Sequence, residues 1–274
     1  MYIVKYIDWP YFYYKQQATK SFAIMGFRPS NIASFIAIIL IISSCSLFAP
    51  EVVPDSPRGL LEEGIKASKQ ASDLHAQTLF KQLLEDYPDS EERIQARLLL
   101  ARSHYALEEY KEAKFHFQKF VELHPMHKNA DRAYFFKTMS DHKQIDLALR
   151  DQTATQEARD GFQQFINRFP NSPYLERAKL KLSECDSMLA KNIFEVGKFY
   201  YRTGAYLSAI SRFKNLLTGY PKQKFFDEAA FLLAESHYHE QSFKEAFSLY
   251  KKFTKEYPRS RFTLKAKKRL RTLR

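Results

Sequence analysis

Ala246-Phe247-Ser248-Leu249-Tyr250-Lys251-Lys252-Phe253-Thr254-Lys255-Glu256-Tyr257-Pro258 decides the fold, because its skeleton occurs four more times in the chain. Counted back from the closing proline, an aromatic stands eight positions earlier and an alanine twelve earlier. The sets are Ala76/Phe80/Pro88, Ala113/Phe117/Pro125, Ala158/Phe162/Pro170, Ala209/Phe213/Pro221 and Ala246/Tyr250/Pro258. Another alanine lies eight positions after each proline: Ala96, Ala133, Ala178, Ala229 and Ala266. Alanine and an aromatic four residues apart share one helix face. The alanine lets two helices cross closely, and the ring fills the gap beside the crossing. Proline closes the helix because it has no N–H to donate. Asp89-Ser90, Asn171-Ser172 and Arg259-Ser260 then offer caps for the helix that follows.

Ala-x3-aromatic with proline eight residues later is the second half of a tetratricopeptide repeat. First helices fit as well, in Ala96–Tyr105 and Ala229–Tyr238. Each leads through a short polar turn into Tyr110-Lys111-Glu112-Ala113 or Phe243-Lys244-Glu245-Ala246. The proline spacings of 37, 45, 51 and 37 exceed the plain period of about 34. Within the longest, Tyr174 to Arg202 holds no helix breaker except Gly197, tolerated inside a helix at about 1 kcal/mol. That segment predicts one helix, about 43 Å long at 1.5 Å per residue. The expected fold is all-α: a solenoid of five tetratricopeptide-type hairpins in two lobes, repeats 1–3 over 59–172 and repeats 4–5 over 173–274, joined by the long helix. Composition agrees, since 7 glycines among 274 residues leave little room for tight β-turns or phosphate-cradling loops.

The first 44 residues read as an address. Ile32 to Ile42 is apolar except for Ser34, too short to cross a bilayer core that needs about 20 helical residues and suited to a secretory signal. It runs into Ile42-Ser43-Ser44-Cys45, which resembles a bacterial lipobox, with Cys45 as the lipidated thiol. Ser46 after it resembles the outer-membrane-sorted class. Met25, with Arg28 before the apolar run, is the expected true start. Residues 45–58 form a lipid-tethered linker, because Pro50, Pro54 and Pro57 favour extended polyproline geometry.

The net charge of +12 is not spread evenly: residues 251–274 hold eleven Lys/Arg against Glu256, while residues 45–250 sum to −1. Phe262, Ala266, Leu270 and Leu273 fall at helical spacing there, which predicts a capping helix on repeat five. Lys265, Lys267, Lys268 and Arg269 are also candidates for contact with an acidic partner or anionic headgroups. Export to a compartment without RNA removes a nucleic-acid reading. His116, His124, His127, His237 and His239 lack a completing ligand set for a metal. HExxH, GxSxG, Walker A and GxGxxG are all missing, so no catalytic residue, cofactor or metal is expected. Cys185 is expected as a buried free thiol.

Leu149-Arg150-Asp151-Gln152, Phe162–Tyr174 and Tyr200–Tyr206 resemble the BamD family of lipoproteins in the outer-membrane β-barrel assembly machinery, and the likeness covers about 60–270. The resemblance implies a lipid-anchored, non-catalytic scaffold on the periplasmic face of the outer membrane. It implies binding to the barrel-forming subunit largely through the C-terminal repeats, contact with the machinery's other lipoproteins, and N-terminal repeats facing unfolded outer-membrane proteins. Tetratricopeptide grooves are lined by first helices. This carries over to Gln95, Leu98, Arg102 and Tyr105 in repeat two, Arg132, Phe135 and Met139 in repeat three, and Phe231, Glu235 and Tyr238 in repeat five. Mixed Arg, Tyr and Met suits aromatic-ended strands. The alternative is a periplasmic lipoprotein adaptor for peptidoglycan-modifying enzymes.

Overall fold

A computed structural model describes residues 55–145, 152–220 and 223–274. The signal segment, Cys45 and most of the linker lie outside the described residues. Helix α1 (Pro57–Lys69) pairs with α2 (Asp73–Asp86), α3 (Glu92–Ala106) with α4 (Tyr110–Leu123), and α5 (Ala130–Lys143) with α6 (Thr153–Arg168). The long α7 (Leu175–Arg202) pairs with α8 (Tyr206–Gly219), and α9 (Phe226–His239) with α10 (Phe243–Glu256). Helix α11 (Thr263–Thr272) closes the stack. The described residues form one compact unit, and the two runs of hairpins meet on α7.

The sequence pattern is the core. All five alanines and all five aromatics of the Ala-x3-aromatic pairs are buried, as are the five alanines after the prolines. Each ring removes a full aromatic side chain from water, at roughly 2–3 kcal/mol. Where two of these rings meet a first helix, the opposing residue is glycine. A Cβ on Gly64 would sit 2.5 Å from the Phe80 ring, and one on Gly197 would sit 2.7 Å from the Phe213 ring. Gly197 therefore makes room for the plug in mid-helix. Tolerance alone does not describe its role.

Four of the helix-to-helix turns use one backbone device. Ala71, Glu108, Gly204 and Gln241 each stand seventeen residues before their repeat's proline and are left-handed, with φ of 59°, 63°, 80° and 57°. Only one is glycine, so the other three carry the Cβ cost of that region.

One boundary differs from expectation for a local reason. The linker gives way to helix at Ser56, whose Oγ accepts from the Gly59 N–H at 3.1 Å. Pro57 then takes the first helical position, where no N–H is needed. The serines after the prolines tie repeats together. Ser172 donates to Asp131 in α5 and Ser260 to Asp227 in α9, each at 2.7 Å, while both accept from a backbone N–H two residues on. The Ser90 Oγ is buried and makes no hydrogen bond among the described residues.

Candidate functional site

The first helices form the inner layer: α1 touches α3 and α7 touches α9 across repeat boundaries, besides the sequential packing of every neighbour. Their outward positions form two clusters of different character.

The N-terminal cluster spans α3, α5 and the start of α7. Arg102 is half-buried; burial first, and then the like charge of Arg132, push its pKa below the ordinary arginine value, against a pull from Asp73. Tyr105 is buried, with its ring edge-on to Tyr110 and to Phe136, both at 5.3 Å. Burial raises its hydroxyl pKa, and Arg177 opposes that rise. Arg177 lies over the Phe135 ring at 5.1 Å, and Phe135 stacks on Tyr174 at 4.8 Å. Guanidinium groups beside ring edges suit a carboxylate next to an aromatic or aliphatic side chain.

The structure brings Arg102, Tyr105 and Arg132 of the predicted set together, with Leu98 half-buried and Gln95 exposed on the same helix. Other members sit elsewhere. Phe135, Met139 and Phe231 are buried. Phe135 is closed in by Phe162, Phe165 and Tyr174, and Phe231 by Tyr250, Phe253 and Phe262. These three are core, not groove lining: the second helix of the same hairpin and the aromatic before the next helix enclose Phe135 and Phe231, and Met139 is buried with them. Arg177, Tyr174 and Phe136 were not in the predicted set. Only Tyr174 carries a sequence signal, an aromatic four residues after the proline, which Phe225 and Phe262 share. Each stacks on a first-helix ring: on Phe135 at 4.8 Å, Phe194 at 4.6 Å and Phe231 at 4.8 Å.

The C-terminal cluster is a latch. Glu235 is 7% exposed and accepts a fork from Arg269 of α11, Nε to Oε1 at 2.9 Å and the second nitrogen to Oε2 at 3.1 Å. It also accepts from the Tyr250 hydroxyl. Burial alone would raise its pKa, but Arg269 and Tyr250 hold the carboxyl below the ordinary range. Arg269 stands over the Tyr238 ring at 3.9 Å. Glu235 and Arg269 are thereby engaged with each other, and Lys265, Lys267 and Lys268 remain exposed on the opposite face of α11.

The histidines pack within the repeats. His104 and His116 stack at 5.2 Å, with His104 Nδ1 held by Glu109 and Gln77, and burial pushes His116 down to about 4. His124 and His127 lie against Phe120. Among the described residues, no group of His, Cys, Asp and Glu is placed to hold a metal ion. Cys185 is buried, and burial pushes its thiol up to about 12.

Comparison with known proteins follows the same lines. A family described as outer membrane lipoprotein, YfiO, matches residues 54–242, and a tetratricopeptide repeat family matches 228–260. The outer membrane protein assembly factor BamD of Caulobacter vibrioides is 30% identical over 58% of this chain, and the match spans 52% of that protein's length. The assembly factor of the same name from Xylella fastidiosa is 26% identical over 78% of this chain and 77% of its own. That from Haemophilus influenzae is 26% identical over 74% and 82%. Among solved structures, a thermophilic TPR protein in Thermus thermophilus aligns at 18% identity over 80% of this chain and 98% of its own, with a TM-score of 0.35.

Proposed function

Since the chain belongs to this family of outer membrane lipoproteins, we propose that it is a non-catalytic scaffold in the assembly of β-barrel proteins into the outer membrane. The relatives' name as assembly factors supports the role, and the family description supports the outer membrane as its place. On this reading Cys45 carries the lipid, and the solenoid hangs from it at the periplasmic face. The C-terminal repeats take the barrel-forming subunit, and the machinery's other lipoproteins share the scaffold. Nothing in the role calls for a cofactor, a metal or nucleic acid.

The observation that carries the reading is the arginine–aromatic cluster of Arg102, Tyr105, Arg132 and Arg177 on the inner layer. A guanidinium takes a carboxylate through paired N–H donors, and its planar face stacks on an aromatic neighbour. An unfolded barrel protein whose last strand ends in an aromatic residue and a free carboxylate offers both. Affinity purification from detergent-solubilised envelope, read by mass spectrometry, tests this. The barrel-forming subunit and unfolded outer-membrane proteins are expected in the eluate. Arg102→Glu/Arg132→Glu is expected to lose the unfolded proteins at least tenfold and keep the subunit. A peptidoglycan hydrolase or synthase in their place would favour the adaptor reading.

A further inference from the structure

The C-terminal helix has two faces with different business. Thr263 and Ala266 are buried, and Leu270 and Leu273 pack with them on the cluster formed by Phe231, Tyr250 and Phe253. Arg261 and Arg269 are drawn to Glu228 and Glu235. The outer face carries Lys265, Lys267, Lys268 and Arg271, all exposed, and none of them pairs with a carboxylate among the described residues. Leu264 projects from this basic face, 80% exposed. Alongside, Phe243, Phe247 and Leu273 share a shallow open notch with Lys244 and Arg274, with Phe243 about half exposed.

From this arrangement we propose that the outer face of α11 is a peripheral contact for the anionic headgroups of a phospholipid bilayer, with Leu264 entering the headgroup layer. Three of its four cations are lysines, mobile point charges that match diffuse negative charge. Lysine is depleted at protein–protein interfaces, where arginine is enriched. In this part of the chain the arginines Arg261 and Arg269 serve as internal ties instead. A folded acidic partner would need fixed carboxylates and an apolar socket for a lone leucine, whereas a headgroup layer supplies charge without geometry and an apolar depth just beneath it. Eleven Lys/Arg against one acid in residues 251–274 give the local field its sign. The contact does not rest on the lipid at Cys45.

Trp9, the only tryptophan in the chain, falls in the signal segment, so Leu264→Trp in the mature chain puts a single reporter indole on α11. The mature chain from residue 45, made with Cys45→Ala, is mixed with vesicles of phosphatidylcholine alone or with about one-third phosphatidylglycerol, each with and without brominated acyl chains. The proposal expects a blue shift and bromolipid quenching on the anionic vesicles only, both reversed by high salt. Each cation near such a surface contributes roughly fivefold to partitioning, so Lys265→Gln/Lys267→Gln/Lys268→Gln should weaken it about a hundredfold, with helix content unchanged by circular dichroism. Equal quenching on neutral vesicles, or none on either, overturns the proposal. So does an equal spectral shift with soluble polyglutamate, which would assign the face to an acidic protein. Failure of the anchor reading shows separately, as absence of fatty-acid label on Cys45 in the unsubstituted chain.

Discussion

Arg269→Ala should release the last helix of the stack. Glu235 is buried and has two partners, Arg269 and Tyr250, so removing the guanidinium leaves a buried carboxylate with a single neutral donor. Truncating one member of a buried pair costs about 3–5 kcal/mol. The Arg269 side chain is about one-third exposed, and solvent screening brings this pair below that range, to about 2–3 kcal/mol. Helix α11 is held otherwise by Thr263, Ala266, Leu270, Leu273 and the stack of Phe262 on Phe231, so the loss appears as local opening. At about 1.4 kcal/mol per factor of ten, amides of 266–272 should exchange some thirty- to a hundredfold faster. Amides of α1–α4 should be unaffected. Glu235→Leu/Arg269→Met should recover most of the loss, because an apolar pair leaves no charge behind. Acid should act through the same latch. Glu235's folded pKa lies below its ordinary value of 4.5, so its contribution is complete above about pH 4.5 and fades as pH falls through the folded value. Exchange within threefold of the unsubstituted protein in Arg269→Ala would refute this account of the cap.

Gly197→Ala should destabilise despite alanine's better helix propensity, by about 1–3 kcal/mol of overpacking against Phe213, measured by urea unfolding; a gain in stability would show that the ring yields freely. Gln241→Gly should act in the opposite sense, adding up to about 1 kcal/mol by relieving the left-handed Cβ cost less the extra freedom of the unfolded chain, read as a higher urea midpoint. His116 is kept neutral by burial, with a folded value near 4 against an ordinary 6.5. Stability should therefore fall as pH drops from about 6.5 towards 4, while the unfolded chain binds the proton the folded one refuses. His116→Leu should flatten that part of the pH–stability profile.

The helices, their pairing and the buried set were legible because one alanine, one aromatic and one proline at fixed offsets dictate a crossing, a plug and a stop. The long helix was legible from the lack of any stop between Tyr174 and Arg202; it runs from Leu175 to Arg202. The groove was legible only in part. Helix periodicity says which face a first-helix residue occupies, but Phe135 and Phe231 are shut in by their own second helix and by the aromatic that opens the next element. That depends on how far the next unit leans over them. Tyr174, Phe225 and Phe262, which do the covering, precede their helices, where helical periodicity carries no information. Glu235 looked like a groove carboxylate for a similar reason: its partner Arg269 lies 34 residues away in the cap, and the basic composition of that helix hid one inward arginine among outward lysines. Gly197 read as tolerated because propensity scales hold no record of a ring across the interface.

The central claim is a scaffold whose N-terminal inner layer receives unfolded outer-membrane proteins. It is tested most directly by a photo-crosslinking amino acid in place of Gln95, the exposed residue on α3 beside the arginine cluster, in cells synthesising a labelled barrel protein. The account predicts crosslinks to that protein while it is unfolded, lost in Arg102→Glu/Arg132→Glu and absent from a probe at exposed Lys119 on α4. Equal crosslinking from both positions, or capture of peptidoglycan enzymes alone, would contradict it.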